Sequence, residues 1–265
     1  MKGIIGAIVG DIIGSSREFN PIKTKQFELI ENNSRFTDDT VLTLAVASWI
    51  TNDDDLLQDN LVKEMQRLTR RHYDAGYGGR FADWIVSSNP VAYNSWGNGS
   101  AMRVSPVAWI YDNLEETQIL AKKSAEVTHN HPEGIKGAVA TASAIFLARN
   151  RKNKKYIREY VEHTFNYDLS RSLDEIRADY KFEVSCQKSV PESIICFLES
   201  DSYVETIRNA VSLGGDADTM SAIGGSIASA YYDVPVDLIE NCLELLDDDL
   251  LKIYTQYSNK ISNYL

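Results

Sequence analysis

The sequence predicts an all-α protein. Apolar residues recur at three- and four-residue spacings along most of its 265 positions, and helix start signals are frequent. Strand-like alternation is confined to Lys181–Cys186, which reads as an extended connector. No fixed-period repeat and no low-complexity linker divides the chain, so residues 1–265 are expected to form one compact multi-helix domain.

The elements follow in order. Gly3, Ala7, Gly10 and Gly14 fall on one face of a first helix. Glycine costs about 1 kcal/mol against alanine inside a helix, so a glycine face implies close backbone approach. Thr40 to Ile50 is apolar nearly all round, the mark of a central helix. Leu57, Leu61, Met65 and Leu68 give an amphipathic helix, after the solvated turn Asn52–Asp55. Pro132 and Pro191 suit first helical positions. Ser172-x-x-Glu175 and Ser202-x-x-Glu205 read as capping boxes. Val204, Ile207 and Val211 are the buried stripe of the second, which Gly214-Gly215 ends. Ala222, Ser226 and Ser229 give another small face. Pro235 opens one more helix, with Leu238, Cys242 and Leu245-Leu246 inward. The Arg151–Lys155 run reads as a helix end carrying cations.

Net charge is −11, which argues against nucleic acid as a partner, because phosphate backbones need a basic face. Cys186, Cys196 and Cys242 are odd in number and lack CxxC spacing. That fits buried thiols in a reducing compartment, and a cytoplasmic location is expected. Lys2 precedes an apolar run from Gly3 to Gly14, but Asp11 breaks it and no cleavage pattern follows. No segment reaches about 18 uncharged apolar residues, so no membrane span is expected.

Two acidic clusters carry the chemistry: Thr37-Asp38-Asp39-Thr40 and Asp216-Ala217-Asp218-Thr219. Each precedes an apolar, small-residue helix. Carboxylates so close repel unless solvated, hydrogen-bonded or neutralised. Helix starts favour carboxylates and disfavour cations, so a metal there needs an excess of negative ligands. Asp38, Asp39, Asp216 and Asp218 supply it, and Thr37 and Thr219 add hydroxyls. Oxygen-only ligation selects Mg²⁺, Mn²⁺ or Ca²⁺ over zinc. Either cluster alone reads more simply as a helix cap; together they point to metal. A phosphatase-type Asp-x-Asp start would follow a buried strand, whereas Val211–Gly215 reads as a helix end.

Four stretches then resemble a known family. They are Gly6-Ala7-x-x-Gly10-Asp11-x-x-Gly14-x-x-x-Glu18, Phe36–Thr40, Gly97-Asn98-Gly99-Ser100-Ala101-Met102-Arg103 and Gly214–Thr219. In this order the chain resembles the ADP-ribosylglycohydrolases. The resemblance implies an all-α fold whose cleft holds two Mg²⁺ (or Mn²⁺), bound by Thr37, Asp38, Asp39, Asp216, Asp218 and Thr219, with Glu18 beside one ion. It implies hydrolysis of the bond between ADP-ribose and an acceptor, often a protein side chain, with Asp38 touching the released ribose. Glu18 or Asp38 is the expected general base.

The same resemblance assigns ligand contacts. Gly97, Asn98, Gly99 and Ser100 form a small-residue loop expected to cradle a diphosphate, with Ser95 as a further substrate contact, Trp96 just before the loop stacking on adenine, and a helix beginning near Ala101. His129 is placed near the ribose or phosphate, while His131 orders the turn before Pro132. Two other readings stay open: a non-catalytic, crystallin-like or ADP-ribose-binding member of the fold, and a hydrolase of a free ADP-ribose metabolite. The chain is short for the family, and Ser226 and Ser229 stand where relatives often have Ala or Gly.

Overall fold

A computed structural model describes residues 3–262. The Lys2 of the N-terminal run lies outside them. The helices in chain order are α1 (Ile5–Ser15), α2 (Asp38–Asn52), α3 (Gln58–Arg71), α4 (Gly79–Val86) and α5 (Gly99–Met102), with a 3₁₀ turn at Ser105–Trp109. Then come α6 (Leu114–Glu126), α7 (Pro132–Arg149), α8 (Lys154–Phe165), α9 (Leu173–Asp179) and α10 (Cys186–Leu198). The last four are α11 (Tyr203–Ser212), α12 (Ala217–Tyr231), α13 (Val236–Leu243) and α14 (Asp248–Ser262). Among the described residues the extended connector before Cys186 makes one isolated bridge, Ser185 with Gly97, and no sheet forms.

The centre of the molecule is the antiparallel pair α1 and α12. A Cβ added at Gly6 would lie 2.3 Å from the Ser229 Cβ, one at Gly10 2.2 Å from the Ser221 carbonyl oxygen, and one at Gly14 2.4 Å from the Ala217 carbonyl oxygen. The two backbones therefore touch along nearly the whole of α1. The seam is Gly6, Gly10 and Gly14, at four-residue spacing. Gly3 precedes the helix at φ 105°, so it is not part of the face expected from the sequence. Around this pair, α2, α7 and α10 are buried over most of their surfaces, which explains their apolar or small-residue composition.

Several local expectations shift. Pro191 sits inside α10, whose N-cap is Ser185. The bond it removes would end on the Gln187 carbonyl, and Gln187 is exposed, so water can replace it. The capping box at Ser172 is complete, but at Ser202 only half forms: Glu205 accepts from the Asp201 N–H instead. Leu57 and Leu245 are exposed, and Val204 is only partly buried. The Arg151–Lys155 run is split: α7 ends before it, and Lys154 and Lys155 open α8. Lys154 gains the Ser200 carbonyl as a hydrogen-bond acceptor.

The segment between α1 and α2 has no regular structure and is pinned from outside. Lys23 Nζ donates to the Leu213 and Tyr180 carbonyls at 2.5 and 2.6 Å, and Arg208 donates to those of Lys25 and Phe27. Arg17 pairs with Glu31. These ties fix the turn that carries Glu18.

Candidate functional site

The antiparallel register sets the C-terminal half of α1 beside the N-terminus of α12, and α2 starts against both. Three chain segments thus deliver Asp11, the Asp38-Asp39 pair and the Asp216–Asp218 pair to one place. Carboxylate oxygens of Asp11, Asp39 and Asp218 lie within 4.8 Å of one another, and so do those of Glu18, Asp216 and Asp218. Asp218 belongs to both groups. Thr219 Oγ1 donates to Asp39 Oδ2, which joins the two clusters directly.

Asp11 has no place in the ligand set that the resemblance implies, yet it organises the site. It is fully buried and accepts from Thr37 N–H (2.9 Å), Thr37 Oγ1 (2.6 Å), Thr40 N–H (3.1 Å) and Thr40 Oγ1. It therefore caps α2 from another helix. Its signal in the sequence is a lone carboxylate inside an apolar run, which cannot be buried without partners. Thr37 is the N-cap of α2; its hydroxyl is spent on Asp11 and accepts from the Asp39 N–H.

The electrostatics show what the site lacks. Burial pushes the carboxyls of Asp38, Asp39 and Asp218 well above their ordinary range, with neighbouring carboxylates adding to the shift. Glu18 is pushed up to about 8 by burial and then by Asp218 and Asp11, and Asp216 to about 6, chiefly by burial. Asp11 is raised by burial despite its four donors. Asp39 Oδ1 is buried with no hydrogen-bond partner. An orphaned carboxylate oxygen amid unneutralised carboxylates is a donor set that fits a hard cation.

Above this cluster opens a cavity of about 470 Å³. Glu18, Asp38, Asp39, Asp216, Asp218 and Thr219 lie on its wall. Asp38 is in neither close group of carboxylates; its N–H donates to Ala75, and its side chain is near Gly76. Ser95, Trp96, Gly97, Asn98, Gly99 and His129 line the same cavity. Ser100 is not on the wall: it is fully buried and its hydroxyl donates to the Gly134 carbonyl at 2.7 Å. The loop N–H groups are partly spent, since Gly97 donates to Ser95 Oγ and Asn98 to the Val184 carbonyl. Those of Gly99 and Ser100 have no protein acceptor among the described residues. The Asn98 side chain donates to Asp216 Oδ2 at 2.7 Å and so ties the loop to the carboxylates.

Arg80 also reaches this cleft, from the start of α4, with its guanidinium 4.9 Å from the Tyr93 ring centroid. No local motif marks it in the sequence. His131 accepts from the Glu133 N–H through Nδ1, as the N-cap of α7, and does not line the cavity. The three cysteines are free and buried. Among the described residues no helix is long and apolar enough to cross a membrane.

Comparison with known proteins agrees with the all-α fold. The family profile described as ADP-ribosylglycohydrolase matches residues 1–263. Mouse ADP-ribosylhydrolase ARH3 is 24% identical over 82% of this chain and 75% of its own length. A putative ADP-ribosyl glycohydrolase of Acanthamoeba polyphaga mimivirus is 26% identical over 91% of this chain and 90% of its own. A solved structure described as an ADP-ribosylglycohydrolase-related protein complex superposes with a TM-score of 0.72 at 23% identity, covering 96% of this chain and 94% of that one. The chain belongs to the ADP-ribosylglycohydrolase family.

Proposed function

We propose that this protein is a metal-dependent hydrolase that cleaves the glycosidic bond between ADP-ribose and an acceptor, in the first instance a modified protein side chain. The observation that carries the reading is the meeting of Glu18, Asp38, Asp39, Asp216 and Asp218 in one cavity that the Trp96–Gly99 loop also lines. We assign the site two Mg²⁺ or Mn²⁺, held by Thr37, Asp38, Asp39, Asp216, Asp218, Thr219 and Glu18, with Asp11 bracing Thr37 and Thr40 from α1. A non-catalytic, crystallin-like role is disfavoured by the retention of every one of these carboxylates.

Bound divalent cations supply Lewis acidity to ribose oxygens and to an attacking water. The side chains do the rest. Glycosidic cleavage passes through an oxocarbenium-like state, and the carboxylate wall stabilises positive charge growing on the ribose ring. Glu18 sits half-buried on a turn rather than within a helix, so its carboxylate can take the proton of the attacking water. In this reading Asp38, which lines the cavity near Gly76, holds a ribose hydroxyl. The Gly99 N–H and the Arg80 cation, both on the cavity wall, favour a diphosphate there. Trp96, 45% exposed on the same cavity, offers a face for adenine.

The test is a panel of arginine-, serine- and asparagine-linked ADP-ribosyl peptides and free ADP-ribose metabolites, assayed with and without metal. Release of ADP-ribose should stop in chelator and return with Mg²⁺ or Mn²⁺. Full activity in excess EDTA would remove the metals from the reading. Turnover of the metabolites alone would reassign the acceptor.

A further inference from the structure

Behind the Gly97–Gly99 loop lies Arg103, fully buried and without a carboxylate partner among the described residues. Its Nη1 donates to the Gly99 carbonyl at 3.1 Å, and its Nη2 to the Ser124 carbonyl at 3.3 Å and to Thr128 Oγ1 at 2.8 Å. Thr128 is also fully buried, and its hydroxyl lies 2.7 Å from His129 Nδ1.

The donor inventory decides the direction of that last bond. A guanidinium has no acceptor, so Thr128 Oγ1 must accept from Arg103. The hydroxyl has one proton, and His129 Nδ1 is its one acceptor among the described residues. Were Nδ1 the donor, the buried hydroxyl proton would be left without a partner, at a cost of about 1–3 kcal/mol. Nδ1 therefore accepts, and in a neutral ring the proton resides on Nε2. Burial, followed by the Arg103 and Arg80 charges, holds the imidazole well below its ordinary pKa, so the ring stays neutral.

The Nε2–H has no protein acceptor among the described residues, and His129 is part of the cavity wall. It lies against the loop where side chains are missing: a Cβ at Gly99 would be 3.2 Å from Nε2, and one at Gly97 3.6 Å. A ligand on those glycines would meet the proton.

We propose that Arg103 and Thr128 are positioning residues that hold His129 as a fixed Nε2–H donor toward an oxygen of the ligand bound on the Gly97–Gly99 loop. The ligand half of this statement rests on the function proposed above. The ring donates a hydrogen bond and does not act as a general base.

The experiment reads the ring itself. Long-range ¹H–¹⁵N spectra of the labelled full-length protein, without ligand, report the tautomer, and His129→Gln assigns the signal among the four histidines. Wild type should show Nε2–H, Thr128→Ser should keep it, and Thr128→Val should lose it. ADP-ribose affinity should fall on the order of tenfold in Thr128→Val and recover in Thr128→Ser. An Nδ1–H ring in the wild type overturns the proposal even if Thr128→Val does not fold. So does a folded Thr128→Val with an unchanged spectrum. Failure of wild type to bind ADP-ribose, with the Nε2–H signature intact, would sink the function and its ligand while leaving the positioning chain standing.

Discussion

The Thr219 hydroxyl donates to Asp39 Oδ2 across 3.1 Å, although 180 positions separate the two residues. One acidic motif is thereby fastened to the other, and the remaining Asp39 oxygen is left buried without a partner. The opposed possibility, two unrelated helix caps, would have left the clusters apart.

Removing one ligand should cost more than removing a supporting residue. Asp218 belongs to both groups of close carboxylates, and Asp216 to one. Asp218→Asn should weaken Mg²⁺ or Mn²⁺ binding beyond the roughly 10–100-fold typical of losing an outer-shell partner, and Asp216→Asn should weaken it less. Calorimetric titration measures this, with helical circular dichroism unchanged. Equal, wild-type-like titrations in both variants would take these residues out of the centre.

The metal should matter more as pH rises. Native carboxyls whose pKa lies above the unfolded value hold protons that the unfolded chain has released. Their stabilising contribution is full below about pH 4 and drains as pH climbs through the native values, about 6 for Asp216 and about 8 for Glu18. A cation replaces those protons. The melting temperature of chelated protein should fall between pH 5 and 9, and the gap to Mg²⁺-loaded protein should widen. A gap that stays constant would contradict proton–metal exchange at these groups.

The glycine seam should be intolerant of a single methyl. Gly10→Ala would set a Cβ 2.2 Å from the Ser221 oxygen, and overpacking of this kind costs typically 1–3 kcal/mol. Gly78→Ala meets nothing within 4 Å, at φ −60°, and should change stability by less than about 0.5 kcal/mol. Denaturant unfolding of the pair checks the contrast; similar midpoints would mean that the helices can part.

Tryptophan emission should report ligand. Trp49, Trp84 and Trp109 are buried, whereas Trp96 is exposed on the cavity. ADP-ribose should change the emission of wild type, and the change should vanish in Trp96→Phe. An equal response in the variant would assign the signal elsewhere.

Much of this was legible in the sequence because the signals are local. Thr37 and Ser172 act as the caps their residue types predict, and the apolar stretch after Thr40 is a central helix. The expectation of a metal centre came from two acidic clusters taken together and from the family resemblance, and the structure brings those clusters to one place. What escaped is set by tertiary register. The glycine face was read from Gly3 when the helix begins after it. Pro191 was read as a first-turn proline because its compensation, an exposed Gln187 one turn earlier, exists only in three dimensions. Asp11 and the Arg103–Thr128–His129 chain needed partners from distant elements to acquire meaning.

The contact between α1 and α12 leaves the aspartates on either side of it little room to breathe. Main-chain atoms pressed together set the spacing of the two backbones that carry Asp11 and Asp218. Changing that spacing would mean prying apart the middle of the molecule.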